Sequence, residues 1–416
     1  MIFMQSTSYH VSMGKKCLIC GSNLEVVLDL GKQPRANAFV DYVYRTVPVT
    51  YDYHLALGFC VECSLTQTIE RPAKHVMFNE NYAYHTSINQ PMVKHFSDAA
   101  KKFLVKLDCS FVLEIGSNDG AFLQNFVDNE FVKHLGIEPS LNVLDEAQKK
   151  GIECWGTFFD VNVANDIVNS KGKPTTIYAA NVMGHVENIG NVLDGVALAL
   201  DGDGTFVFEI YYLPSMLSKN SFDLIYDEHI FYFTLNSLNA LFKKHGLRLY
   251  DFDSINVHGG SIRGYVTHAS SKRDASMELT IAMDREVEKG FLTIEPLKVF
   301  SSNVERTKQD LKMLVSELKT KGKTVYGYGA TAKSTTILNY CDIDIDAIVD
   351  STPCKQGKYS PGKLVPIVPE EQFRIDVPDV TILFAWNYAQ QIMDKQRWYS
   401  EQGGRWVLMH PNVRFV

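Results

Sequence analysis

The run Phe111-Val-Leu-Glu-Ile-Gly-Ser-Asn-Asp-Gly120 decides the fold of this 416-residue chain. Its first five residues are mostly apolar and read as a short strand buried on both faces. Gly116 and Gly120 close it with a turn and let the backbone approach a ligand. A helical run is expected from Ala121. Working outward, strands are expected at His134–Glu138, Cys154–Gly156, Thr175–Ala180 and Thr205–Ile210. Helices are expected at Ser140–Lys150 and Asn191–Ala199, and a further one at Gln90–Leu107 ahead of the run. A helix over Leu235–His245 and a hairpin of Arg248–Asn256 with Ser261–His268 close the pattern. Such alternation predicts a doubly wound, mostly parallel sheet. Residues from about 275 to 320 carry helical spacing. A second alternation begins at Thr324-Val-Tyr-Gly-Tyr-Gly329 and continues at Ile345–Val349 and Val380–Ala385.

Length predicts two to four domains. Hydrophobic residues make up 45% and charged residues 21%, the composition of a globular chain and not of a disordered one. The formal net charge of −7 argues against nucleic acid as a partner, and with it against a zinc-bearing RNA-binding protein. No window approaches the ~18 apolar residues of a membrane span. The N-terminus lacks the basic start and apolar core of a signal peptide. A cytoplasmic protein, monomer or homodimer, is expected.

Four of the eight cysteines form two pairs, Cys17-Leu-Ile-Cys20 and Cys60-Val-Glu-Cys63. Each CxxC places two thiolates on one tight turn, and two such turns complete a tetrahedral zinc shell. Four thiolates leave no position for a catalytic water, so the metal is read as structural. Short strand-like runs such as Leu24–Leu30 make residues 1–75 a small zinc-stapled module.

The loop Glu114–Gly120 lies at the carboxyl end of a strand, where doubly wound sheets bind ligands. It is neither G-x-G-x-x-G nor a Walker loop, so a diphosphate is not its best ligand. Glu138 ends the next strand, placed to accept both hydroxyls of a ribose. An acidic glycine loop suits a cation, and S-adenosylmethionine carries a sulfonium and an ammonium but no phosphate. Glu114, Gly116, Asn118, Asp119, Gly120, Glu138 and Asn181 are the candidate cofactor residues. An ordinary strand–helix turn with acidic edges is the plain alternative.

Blocks in order along the chain now bear on identity: the paired CxxC, Tyr82-x-Tyr84-x-x-Ser87, Glu114–Gly120, Gly136-Ile-Glu-Pro139, Asn181-Val-Met-Gly-His-Val186, Tyr226-Asp-Glu-His229, His258-Gly-Gly-Ser-Ile-Arg263, Gly327-Tyr-Gly-Ala-Thr-Ala-Lys333, Val349-Asp350, Lys355-Gln-Gly357 and Pro361-Gly362. Through them the sequence resembles the sugar C-methyltransferases that act on nucleotide-linked 4-keto-6-deoxy sugars. Where that family often has Phe-Ser-Ser this chain has His85-Thr86-Ser87, and where it often has Ala this chain has Gly184. The resemblance implies an α/β protein of three parts: a zinc-binding module (1–75), a Rossmann-like S-adenosylmethionine domain (76–270) and a second Rossmann-like domain (271–416) that helps hold the nucleotide-sugar. The nucleotide (dTDP, GDP, CDP or UDP) is left open.

Methyl transfer to carbon needs a carbanion-like nucleophile, which a carbon next to a ketone supplies once a base removes its proton. His229 is the candidate base, since imidazole titrates near neutral pH. Tyr226 and Glu228 either orient it or grip sugar hydroxyls. His185 either hydrogen-bonds the ketone oxygen or a hydroxyl, or caps the next helix. Tyr82 and Tyr84 either close over the sulfonium or pack a domain seam, and Ser87 shares their block. His258, Ser261 and Arg263 are read as substrate contacts, with a tight glycine turn as the plain alternative.

Gly327-Tyr-Gly329-Ala-Thr-Ala332 matches the dinucleotide fingerprint G-x-G-x-x-A, with Asp350 ending the next strand. In isolation it supports a rival, an NAD-dependent oxidoreductase acting on a nucleotide sugar. Lys333 at the start of the following helix favours the diphosphate of a nucleotide-sugar instead. Gly329, Lys333 and Lys355 are therefore expected at the substrate.

Overall fold

The computed structural model describes residues 10–11, 15–45, 53–73 and 84–416. Short strand β1 (His10–Val11) pairs with β5 (Arg71–Pro72), and β2 (Glu25–Gln33), β3 (Tyr53–Phe59) and β4 (Thr66–Thr68) form an antiparallel meander. Cys17, Cys20, Cys60 and Cys63 come together beside it, their Sγ atoms all within 4.8 Å of one another.

The central sheet holds β6 (Phe111–Ile115), β7 (Lys133–Ile137), β8 (Cys154–Trp155), β9 (Thr176–Ala180), β10 (Thr205–Tyr211), β12 (Leu247–Ile255) and β13 (Ser261–His268), in the order β12-β13-β10-β9-β6-β7-β8. Every residue of β6 is buried, which is why its sequence is an apolar run without alternation. β6 to β10 run parallel, and the β12–β13 hairpin closes the sheet antiparallel to β10.

The sequence puts a helix after Ala121, but the chain makes only a short 3-10 turn at Leu123–Asn125. Asn125 explains the break. Its side-chain amide donates to the carbonyls of Ala121 and Phe122 (3.2 and 2.8 Å), which helix propagation would need. Phe122 and Phe126 are then free to pack inward, Phe122 against Tyr178 with ring centres 4.3 Å apart. Unread in the sequence is the helix Val161–Lys171, capped by the Asp160 carboxylate on the amides of Asn162 and Val163.

The C-terminal sheet holds β14 (Val325–Tyr328), β15 (Ala347–Val349), β16 (Ile367–Val368), β17 (Val380–Leu383), β18 (Arg405–Leu408) and β19 (Arg414–Phe415), ordered β16-β15-β14-β17-β18-β19 and parallel except for β19. Counted along the chain this is 3-2-1-4-5-6, the dinucleotide-fold order, and the central sheet shares it through its fifth strand. The helices Met277–Glu288 and Glu295–Thr320 connect the sheets. Buried Glu286 accepts hydrogen bonds from the Leu235 and Asn236 amides (2.6 and 2.9 Å) at the start of the helix Leu235–Lys244.

One strand crosses between units. β11 (Phe231–Tyr232), which follows Tyr226–His229 directly, pairs with β4 of the zinc module and not with the central sheet. The segment that carries the candidate base is thereby fastened to the cysteine-bearing meander. Among the described residues no helix is long and apolar enough to cross a membrane.

Candidate active site

Both doubly wound sheets open their switch points, β6/β9 and β14/β17, into one cleft of about 1230 Å³. On the first side, Gly116 (φ +73°) leaves β6. A Cβ there would come within 2.6 Å of the Val182 side chain, so only glycine permits the turn. Glu138 accepts the Asn118 and Ser140 amides (3.0 and 2.8 Å), one on each carboxylate oxygen, and keeps a lone pair on each for ribose hydroxyls. Glu114 is buried at the floor with Oε2 lacking a hydrogen-bond partner among the described residues. Burial first, then the charges of Glu138, Asp119 and Glu209, hold its carboxyl well above the usual carboxylate range. The Asn181 side-chain oxygen, held by a left-handed backbone (φ +57°), also lacks a hydrogen-bond partner among the described residues. Crowded, under-satisfied acids next to an orphaned amide oxygen fit the ammonium and sulfonium of S-adenosylmethionine.

Asp119 and Gly120 lie beside this lining and not in it. Asp119 turns away to accept the Ser87 amide (2.9 Å), and the Ser87 hydroxyl accepts from Lys150 (2.8 Å). Asn118 grips the same segment, accepting from the Thr86 amide (3.0 Å) and donating to the Tyr84 carbonyl (3.1 Å). Asp119 and Ser87, read as cofactor contacts, thus act as the tether that lays Tyr84–Thr86 along the cleft wall. Gly120 is a packing glycine, because a Cβ there would meet Ile152 at 2.2 Å. Tyr84 lines the cleft; Tyr82 lies outside the described residues.

At the centre the His229 Nδ1 lies 2.7 Å from the Leu224 carbonyl. A carbonyl only accepts, so Nδ1 carries the hydrogen and Nε2 is the bare nitrogen. That nitrogen accepts the Tyr226 hydroxyl at 2.6 Å. Burial keeps His229 neutral, far below its ordinary pKa. Tyr211, unread in the sequence, stacks on the imidazole with ring centres 4.2 Å apart and 22° between planes. The His185 ring lies 5.0 Å from it, and burial lowers that pKa to about 4. Gly184 makes room for this stack, because a Cβ there would meet the Tyr211 hydroxyl at 2.6 Å.

Two other units lock this segment. From the zinc module, the Ala36 amide donates to Asp227 (3.2 Å) and the Asn37 side chain donates to Glu228 (2.6 Å). From the helix Ala332–Tyr340, Thr335 donates to the Ala36 carbonyl (2.8 Å) and Thr336 to the Ile225 carbonyl (3.0 Å). Burial and then Asp227 raise the Glu228 pKa to about 8, so this carboxyl carries a proton at neutral pH. Asn37 sits in Gln33-Pro-Arg-Ala-Asn37, where no motif marks it.

The remaining expected substrate residues divide. His258 (φ +48°) lines the cleft, while Gly259 packs so closely under Trp386 that a Cβ would lie 2.1 Å from the ring. Ser261 donates to the Val257 carbonyl (2.9 Å). Arg263 is spent on buried Glu209 (2.7 Å), which also accepts from Tyr178 and meets His95 (2.7 Å each). Both are read as substrate contacts in the sequence, and both stand off the lining because the β10–β13 pairing draws them into the sheet. Gly329 (φ +100°), Lys333 and Lys355 do line the cleft. Asp350 accepts the Ala330 and Thr352 amides (2.7 and 2.8 Å), and Lys355 donates to the Ala330 carbonyl (2.8 Å).

Three family models match the chain. Residues 17–78 match a zinc binding domain, 93–251 a methyltransferase domain and 256–411 the C-methyltransferase C-terminal domain. Among solved structures, an S-adenosylmethionine-dependent methyltransferase from Clostridium acetobutylicum is 17% identical, covering 42% of this chain and 92% of its own, with a TM-score of 0.34. The magnesium protoporphyrin IX methyltransferase of Synechocystis is 12% identical over 42% of this chain and 79% of its own, with a TM-score of 0.31. The C-methyltransferase NovU of Streptomyces niveus is 32% identical over 409 residues, 96% of both chains. The chain therefore belongs to the C-methyltransferase family, as an S-adenosylmethionine-dependent enzyme with a four-cysteine zinc module.

Proposed function

We propose that the acceptor is C3 of a nucleotide-linked 4-keto-6-deoxy sugar. The observation that carries this reading is the tautomer of His229. Its bare Nε2 faces the cleft through the Tyr226 hydroxyl, between a carboxylate-lined loop and a lysine-lined one.

S-adenosylmethionine supplies an electrophilic methyl group when bound; Glu114, Gly116, Asn118, Glu138 and Asn181 would hold it. Gly329, Lys333 and Lys355 hold the nucleotide-linked sugar, with His258 beside them. Tyr226 passes its hydroxyl proton to His229 Nε2 as its oxygen takes the proton from the carbon next to the ketone, so His229 is the final proton acceptor. Protonated Glu228 donates to a sugar oxygen, and His185 donates to the ketone oxygen or a hydroxyl. The zinc module presents Ala36 and Asn37 to this machinery. The three units at 1–75, 76–270 and 271–416 are read as its working parts. Thiolate zinc goes with a reducing compartment, hence the cytoplasm.

Incubating the enzyme and cofactor with dTDP-, GDP-, CDP- and UDP-linked 4-keto-6-deoxy sugars tests the assignment by mass spectrometry. One methyl group retained on sugar carbon with at least one of the four is the expected result. Methylation on oxygen, or of none of them, overturns it.

A further inference from the structure

Removing a proton beside a ketone places a negative charge on the ketone oxygen. The imidazoles of His185, His229 and His258 do not supply a cation to meet it. Burial holds His185 at about 4, His258 at about 3 and His229 well below its usual value. Among the described residues three lysines line the cleft. Lys395 pairs with Glu370 (2.7 Å) and is mostly exposed, and Lys355 is committed to the Ala330 carbonyl above the Phe39 ring.

Lys333 is placed differently. It is 8% exposed, and its one hydrogen bond among the described residues goes to the Asn387 side-chain oxygen at a loose 3.2 Å. Its ammonium lies 5.0 Å from the Trp386 ring centre. The Trp386 indole in turn donates to buried Asp223 (2.6 Å), next to Leu224, whose carbonyl sets the His229 tautomer. Three residues after Lys333, Thr336 touches Ile225 of that same segment. Lys333 is thus a buried lysine packed on the catalytic segment; burial lowers its pKa, the charge of Asp223 opposes that shift, and both His229 and His258 feel its charge.

We propose that Lys333 is a catalytic residue that hydrogen-bonds the enolate oxygen, while Gly329, Lys355 and the first amides of the helix Ala332–Tyr340 take the diphosphate. This rests on the reaction proposed above. The C3–H bond breaks, its proton passes to the Tyr226 oxygen, and the Tyr226 hydroxyl proton ends on His229 Nε2. The electron pair enters the enolate, whose oxygen the Lys333 ammonium faces. C3 then bonds to the methyl carbon as the carbon–sulfur bond breaks, its pair staying on sulfur.

The test separates enolisation from binding. Wild type, Lys333→Met and Lys333→Arg are given the 4-keto sugar nucleotide that wild type methylates, with S-adenosylhomocysteine in deuterated water, and exchange at C3 is followed by NMR. Calorimetry gives Kd for the matching nucleoside diphosphate. Lys333→Met is expected to lose at least 100-fold in exchange at saturating sugar with Kd within threefold of wild type, and Lys333→Arg to lose about tenfold. Exchange retained with Kd raised tenfold or more would make Lys333 a diphosphate grip and overturn the proposal. If Lys333→Met does not melt cooperatively, Lys333→Arg decides: unchanged exchange overturns it, and slower exchange at unchanged Kd supports it. Absence of both exchange and methylation in wild type overturns the reaction class, a failure distinct from that of Lys333.

Discussion

The loops Gly116–Gly120 and Gly329–Ala332 are built alike and charged oppositely. Each follows the first strand of a 3-2-1-4-5 sheet. Each is buttressed by a carboxylate from the second strand's end, Glu138 on the Asn118 and Ser140 amides and Asp350 on the Ala330 and Thr352 amides. Around that shared frame the first collects Glu114 and Glu138, and the second Lys333 and Lys355. The fold sets where a ligand sits; the side chains set its sign. On the function proposed above, one chain uses the same crevice twice, for a cationic donor and for an anionic acceptor, and faces the two onto a single cleft.

The strongest way to break this contrast is to show that either loop performs the proton transfer. We expect His229→Asn to lower turnover by ~10³–10⁴-fold while the Kd values of S-adenosylmethionine and the sugar nucleotide stay within threefold. Retention of most of kcat would move the base to one of the loops. Next in size are the paired charge deletions. Glu138→Gln should weaken cofactor binding by roughly 10–100-fold and leave nucleoside diphosphate binding alone, and Lys355→Gln should do the reverse. Calorimetry with each ligand reads all four numbers, and equal losses on both ligands would end the division of labour.

Between the loops lies Glu228, whose burial can be read as a pH dependence. Its pKa is raised from 4.5 to about 8 in the folded protein, so folding favours the protonated form. That contribution is complete below the unfolded value and fades as pH rises toward the folded one. Wild type should therefore lose stability across this window, and Glu228→Gln should flatten the loss by on the order of 2–4 kcal/mol near pH 9. Denaturant midpoints across the range check it, and parallel curves for the two proteins would contradict the raised pKa.

How much of this was legible in the sequence follows from the range of the interactions. β6, its glycine turn and Glu138 are local patterns, and the cysteine knuckles carry their spacing on their face. Tyr226, Glu228 and His229 could be grouped because they are adjacent. Asn37 meets Glu228 across 191 residues, and Tyr211 reaches His229 from a strand end, so neither leaves a pattern in the chain. Arg263 misled for the same reason. A lone arginine in a glycine-rich block resembles an anion contact until cross-strand pairing sets it opposite Glu209. Asn125 shows the limit in the other direction, since a single polar side chain diverts two carbonyls and unmakes the helix that the surrounding apolar spacing suggests.

The smallest expected effect tests whether the two frames are equivalent. The motif at Gly327–Ala332 with Asp350 is that of a dinucleotide site, where the acidic residue grips a ribose. Here each Asp350 oxygen holds one backbone amide, as each Glu138 oxygen does, and methyltransferase membership replaces the oxidoreductase reading. If Asp350 only buttresses the loop, Asp350→Asn should cost about 1–2 kcal/mol of stability, since one of the two amides loses a charged acceptor. Nucleoside diphosphate binding should stay within about twofold, a change of less than ~0.5 kcal/mol. NADH should give no saturable fluorescence change with either protein. Glu138 is proposed to grip the cofactor as well as buttress its loop, so the matching Glu138→Gln change should cost the cofactor far more than Asp350→Asn costs the nucleotide. Equal penalties in the two domains would mean that Asp350 also grips its ligand, and that the second crevice binds a ribose as the first does.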